Sequence, residues 1–90
     1  MVKSLHSRQN EVLLRLLRRR RQSINLRQAD LALRIGRGQA TVSKVESGAR
    51  RLDVIELRAW LSALEMDFVS FVDELDKQLQ GQPSVDATFR

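Results

Sequence analysis

Apolar residues recur along the chain at helical spacing, and they mark off five segments. From Ser7 to Gln22, Val12, Leu13, Leu16 and Leu17 fall at i, i+1, i+4 and i+5, the stripe of an amphipathic helix. This segment ends in Arg18 to Arg21, positive charge at the negative end of a helix dipole, and then in Ser23-Ile24-Asn25, where Asn tolerates a left-handed turn. A second helix is expected over residues 27–35, with Leu31 and Ile35 on one face, Ala32 small enough for close packing and Gly36 placed to stop it. A third spans residues 39–47 between Gly38 and Gly48, with Val42 and Val45 as its buried candidates and Gln39, Thr41, Ser43 and Lys44 turned outward. A helix with two apolar anchors is held on one side, which leaves its other side free for a ligand.

Past the linker Ala49 to Leu52, Asp53 with Glu56 three residues on predicts a capping box that opens a fourth helix. Val54, Leu57, Leu61 and Leu64 make its expected stripe, with Trp60 at the core or its edge. Asp67 predicts the cap of a fifth helix over residues 67–79, whose Phe68, Phe71, Val72, Leu75 and Leu79 form a broad apolar face. Residues 80–90 show no periodicity and are expected to be a mobile tail.

The pattern is that of an all-α, compact five-helix domain over residues 1–79. A length of 90 residues suits a single domain. Cysteine is absent and His6 is the lone histidine, so disulfides, thiolate chemistry and the usual zinc sites are excluded, and no metal or cofactor is expected. No apolar run approaches the roughly 20 residues of a membrane span, so the expected location is the cytoplasm. A core this small leaves little room for a pocket of about 300 Å³, and no small-molecule ligand is expected.

Charge sharpens the picture by its distribution. Residues 1–51 carry 13 Lys and Arg against three acids, a net of +10, whereas residues 52–90 carry three against eight, a net of −5. A basic face built by one half of a chain is the footprint of a polyanion, most often nucleic acid. Single-stranded RNA is a weaker fit, because the basic half lacks aromatic platforms for stacking.

Two short helices joined by a Gly-containing turn describe a helix-turn-helix, whose second helix enters the major groove of DNA. The series Gln28, Leu31-Ala32, Ile35-Gly36, Val42-Ser43 and Glu46-Ser47-Gly48 resembles the Xre and lambdoid phage repressor family over about Leu13 to Leu75. The resemblance implies a repressor-like domain that binds double-stranded DNA. It implies that Gln28 contacts phosphate and that Gln39 reads a base, since one Gln amide can pair with the N6 and N7 edge of adenine. Ala40 is then a contact for a thymine methyl, Ser43 for a base or a phosphate, and Lys44 for guanine or the backbone. Arg37, Thr41, Arg50 and Arg51 are further phosphate candidates. Arg21 and Glu46 match a pair that ties the first helix to the third in related repressors.

Two positions depart from the family pattern. Arg27 stands where Ser or Thr usually caps the second helix, which implies a weaker cap or one supplied from elsewhere. Glu65 stands where Gly usually follows the fourth helix, which argues against a tight left-handed turn there.

The face made by Phe68, Phe71, Val72, Leu75 and Leu79 either closes the core or forms a homodimer seam, and the two are compatible. A two-fold dimer would space two recognition helices by about 34 Å and require an inverted-repeat operator. A regulator of this kind, in the sense of a repressor, is the leading expectation. The alternative is an antitoxin whose C-terminal segment holds a protein toxin, with the acids Asp73, Glu74 and Asp76 facing a basic partner. No enzyme is expected, since neither a nucleophile–base set nor a phosphate-cradling loop is present.

Overall fold

The computed structural model of the protein describes residues 8–81, and within them five helices follow one another: α1 Arg8–Ser23, α2 Gln28–Ile35, α3 Gln39–Ser47, α4 Val54–Ala63 and α5 Phe68–Leu79. The expected tail lies outside the described residues apart from its first two positions. α1 packs against α3 and α5, α2 against α3 and α4, and α4 against α5. The core draws on all five helices, around Leu17, Leu31, Val42, Val45, Leu57, Trp60, Leu61, Leu64 and Phe71.

Along α1 the buried positions are Val12, Leu14, Leu17 and Arg21, while Leu13 and Leu16 are half-buried against the core. The stripe is thus wider than the sequence pattern indicates, because two different helices cover its two flanks. On α4 the expectation for Val54 is overturned: it is 65% exposed. Val54 occupies the first turn, ahead of the packed length of the helix, and the buried stripe is Leu57, Trp60, Leu61 and Leu64. Trp60 lies fully within the core, its indole N–H buried without a hydrogen-bond partner.

Each of the first four helices ends in a residue with positive φ: Asn25 at 60°, Gly36 at 69°, Gly48 at 87° and Glu65 at 58°. In all four a backbone N–H one residue further on reaches back to satisfy a carbonyl of the last turn: Leu26 to Arg21, Arg37 to Ala32, Ala49 to Lys44 and Met66 to Leu61, at 2.9 to 3.1 Å. This is the bonding of a Schellman motif. Glycine and asparagine suit it, and the left-handed turn forms at Glu65 despite the side chain.

What holds Glu65 there is a pair of arginines. Arg20 of α1 donates through Nε to the Leu64 carbonyl (2.9 Å) and through Nη2 to the Glu65 carbonyl (2.7 Å). Arg34 of α2 donates through Nη1 to the Ala63 carbonyl (2.8 Å) and to the Glu65 carboxylate (2.9 Å). Two positive groups thus satisfy the carbonyls that α4 leaves open at its negative end.

Candidate nucleic-acid interface

α3 is built to present one face. Its two ends are glycines, its apolar content is Val42 and Val45, both fully buried, and Glu46 is buried beside them. At 100° per residue these three share a side; Ala40, Ser43, Lys44 and Ser47 lie away from it, and Gln39, which falls near Glu46 on the wheel, is exposed at the open first turn. Thr41 departs from the expected outward set. It is half-buried and faces α4, where with Arg37, Arg50, Leu52, Glu56 and Trp60 it lines a cleft of about 150 Å³.

Ser47 is the member of the outer face that residue-by-residue reading misses. Its position, four residues beyond Ser43 and eight beyond Gln39, follows from helical period alone. Its hydroxyl already donates to the Lys44 carbonyl at 3.1 Å.

Beneath this face lies a buried ion pair. Arg21 meets Glu46 in a two-point fork, Nε to Oε2 at 2.7 Å and Nη2 to Oε1 at 3.0 Å, with both side chains at most 10% exposed. The remaining Arg21 Nη1 donates to the Leu26 carbonyl at 2.7 Å, just ahead of α2. Gln28, the first residue of α2, donates through Nε2 to Glu46 Oε1 at 3.0 Å, and Gln39 Nε2 lies 3.5 Å from Gln28 Oε1. Core charge, α2 and the tip of α3 are joined in one chain of polar contacts.

The arginine run of α1 divides differently from a polyanion-binding rim. Arg18 donates to the Glu46 carbonyl (2.8 Å), Arg20 to the end of α4 and Arg21 to Glu46 and Leu26. Three of its four members are therefore committed to carbonyls and a carboxylate of the fold, and Arg19 is exposed.

Three of the cations left for a ligand lie on or beside α3. Among the described residues Arg37, Lys44 and Arg51 are exposed and make no ion pair. Arg50 is held by Glu56 at 2.6 Å. That hydrogen bond, with a second from the Asp53 backbone N–H, keeps the Glu56 carboxyl below the usual range. Gln28 is half-buried but keeps one N–H uncommitted, since a primary amide has two and Glu46 takes one.

The α5 face splits in two. Phe71 is buried in the monomer and Phe68 and Leu75 pack against the core, whereas Val72 is 38% and Val69 72% exposed. Leu79 is half-buried. No group of three or more acids or histidines among the described residues is arranged to hold a metal, and no helix there is long and apolar enough to cross a membrane.

A helix-turn-helix family model matches residues 17–71, which span the packed core and the whole α2–turn–α3 unit. The chain belongs to the Xre-type helix-turn-helix family. An Xre-family-like protein from Pseudomonas syringae pv. tomato str. DC3000 superposes with a TM-score of 0.77 at 34% identity, covering 90% of this chain and 95% of that one. Two point mutants of the restriction-modification controller protein C.Esp1396I share the fold. One has a TM-score of 0.74 at 22% identity, covering 86% of this chain and 98% of the other; the second has 0.75 at 24%, covering 82% and 99%. No curated protein matches by sequence. The chain is accordingly a DNA-binding transcription regulator of a family that is typically non-enzymatic.

Proposed function

We propose that the protein is a repressor that binds an inverted-repeat operator as a homodimer and acts by occupying promoter DNA in the cytoplasm, without catalysis or cofactor. The observation that carries this reading is the outer face of α3. Gln39, Ala40 and Ser43 project from a helix anchored on its other side, and Arg37, Lys44 and Arg51 stand around them as unpaired cations. Small polar side chains on a short helix suit base edges, and the surrounding cations suit phosphates. Gln28, Arg50 and Thr41 complete the phosphate rim, Arg50 by exchanging Glu56 for a phosphate oxygen. Arg21 and Glu46 hold the two helices of the motif in register.

The dimer seam takes the outer edge of α5. Phe68, Val72, Leu75 and Leu79 fall within about 60° of one another on the helical wheel; Phe68 and Leu75 also pack against the core that Phe71 closes, and Val69, 72% exposed, lies beyond Val72. A second reading, an antitoxin that binds a protein toxin, draws on the same surface, because the exposed acids Asp73, Glu74 and Asp76 flank it. Co-purification with a second small basic protein would favour it.

The test is affinity for the DNA upstream of the protein's own coding sequence against scrambled DNA across a salt series, with Gln39→Ala in parallel. The upstream DNA should win by about a thousandfold, and Gln39→Ala should narrow that ratio. Equal affinity for both DNAs, vanishing with modest salt, would reduce the interaction to charge attraction and defeat the repressor reading.

A further inference from the structure

We propose that the cleft between the helix-turn-helix and α4 binds a small organic monocarboxylate, one ring in size, whose occupation releases the protein from DNA. The site stands on the cleft itself; its effect on DNA rests on the repressor reading above.

The cleft has about 150 Å³ of space. That is about half of the roughly 300 Å³ at which drug-sized pockets begin, but it is the volume of a protein cavity that takes up benzene. Ile35, Leu52 and Trp60 give it apolar walls, and Glu56 and the exposed Arg37 and Arg50 give it charge. Apolar walls with a few convergent polar groups are the make-up of a ligand pocket, whereas a phosphate of DNA needs only the charge. Trp60 also carries the one buried side-chain polar atom among the described residues that lacks a hydrogen-bond partner, its indole Nε1. The protein alone therefore leaves the residue behind this cleft incompletely satisfied.

Charge selects the head group. Arg50 bonds to Glu56 at 2.6 Å. That bond, then the Asp53 backbone N–H, and last the nearby charge of Arg37 keep the Glu56 carboxyl below its usual range. Glu56 is thus an anion at neutral pH, yet two guanidiniums share it, and Arg37 makes no ion pair. One further negative charge balances the cleft, and a carboxylate matches the planar fork of an arginine. An aromatic monocarboxylate supplies that charge and, in its ring, a body for the apolar walls. Arg37 and Arg50 are also phosphate contacts in the repressor reading, so the ligand and DNA claim the same guanidiniums. By linkage each weakens the other to the same extent.

Trp60 is the sole tryptophan of the chain, so its fluorescence reports on the cleft directly. Benzoate is the probe. Titrated into the wild-type protein, it should change the emission saturably with a Kd on the order of 1 mM, which a ligand of so few atoms can reach. Benzamide, with the shape but no charge, and acetate, with the charge but no ring, should each bind weaker by about tenfold or more. Arg37→Gln should weaken benzoate by about tenfold and leave benzamide unchanged. Ala59→Leu extends a larger side chain from the exposed part of the lining and alters no residue of the DNA face. It should abolish the benzoate response while keeping the wild-type melt and DNA affinity. Benzoate at about ten times its Kd should weaken wild-type binding to the upstream DNA by about tenfold relative to the same concentration of acetate, and should leave Ala59→Leu unaffected.

An emission change that does not saturate, or that persists in Ala59→Leu, would overturn the site. Equal binding of benzamide and benzoate, or no loss in Arg37→Gln, would overturn its preference for an anion. Saturable binding that leaves the affinity for DNA untouched would strike out the release. If upstream and scrambled DNA bind alike, the repressor reading fails and the release with it, while the fluorescence titration still decides the site.

Discussion

By the usual rules of helix capping α2 begins poorly and ends well, and α4 does the reverse. α2 starts at Arg27, which offers no acceptor to the free N–H groups of the first turn, and stops at Gly36. α4 starts at Asp53, which accepts from the Glu56 backbone N–H at 2.7 Å while Glu56 accepts from the Asp53 N–H at 2.9 Å, and stops at Glu65 in a glycine's conformation. Each weak end is repaired by arginine and carboxylate. At α2, Asp30 accepts from the Arg27 backbone N–H (2.9 Å) and pairs with its guanidinium (3.0 Å). At α4, Arg20 and Arg34 close on the last carbonyls. Arg34 belongs to α2, so the repair of one helix also ties it to the other. A helix end that breaks a propensity rule is thus a place to look for a tertiary contact that makes the rule unnecessary.

The strongest way to break this arrangement is to remove the charge on which the start of α2 hangs. Arg21 supports the Leu26 carbonyl only because Glu46 holds it in place, and both groups are buried. Glu46→Ala would strand a buried guanidinium at a cost of about 3 kcal/mol or more, which for a domain of this size lowers Tm on the order of 10 °C. DNA affinity should fall with it, because the α2–α3 register is lost. A thermal melt that matches the wild type would refute this role for the pair.

Next in size are opposite substitutions at the two C-terminal ends. Gly36→Ala puts a side chain at φ 69°; space is open around it, so the penalty is purely that of the left-handed backbone, about 1–2 kcal/mol. Glu65→Gly should act in the other direction. It relieves the same backbone penalty and loses the exposed ion pair with Arg34, worth about 0–1 kcal/mol, so a gain of about 0–2 kcal/mol is expected. Urea unfolding of both variants checks the contrast. If Glu65→Gly is destabilising by as much as Gly36→Ala, the Arg34 contact outweighs the strain and α4 has no weak end.

Much of the fold is legible from residue type alone, and what is not has a common cause. α3 runs from Gln39 to Ser47 as expected, because Gly38 and Gly48 bound it and Val42 and Val45 orient it. The caps Asp53 and Asp67 also follow from local chemistry, Asp67 accepting from the Ser70 backbone N–H at 2.9 Å. By contrast, Arg18, Arg20 and Arg34 bind carbonyls 28 to 45 residues away, and no local pattern distinguishes such arginines from ones waiting for phosphate. Val54 misleads for a related reason: its spacing fits the α4 stripe, but no described residue covers the first turn. The same limit applies to the α5 face, where period separates Phe71 from Val69 but only the packing of α1 and α4 decides which of them is inside.

The smallest expected effect sharpens the comparison at the two N-terminal ends. The Arg27 guanidinium bonds to Asp30, with the Arg27 backbone N–H adding to it, and together they hold the Asp30 carboxyl at about 2 against an ordinary 3.8. A carboxyl with its folded pKa depressed contributes stability that is fully present above the unfolded value and is lost as pH falls through the folded one. The contribution of Asp30 should therefore persist from neutral pH down to about 3.8 and disappear toward 2. At α4, Arg50 is the first cause of the lowered Glu56 carboxyl, with the Asp53 N–H second. In a carbon-13 NMR titration, Arg27→Ala should move the Asp30 midpoint upward and leave Glu56 in place, and Arg50→Ala should do the converse. In each case the remaining backbone N–H keeps the return to the ordinary value incomplete. An Asp30 midpoint that does not move in Arg27→Ala would mean that the backbone N–H alone holds the charge, and that α2 begins on a one-sided cap without help from its arginine.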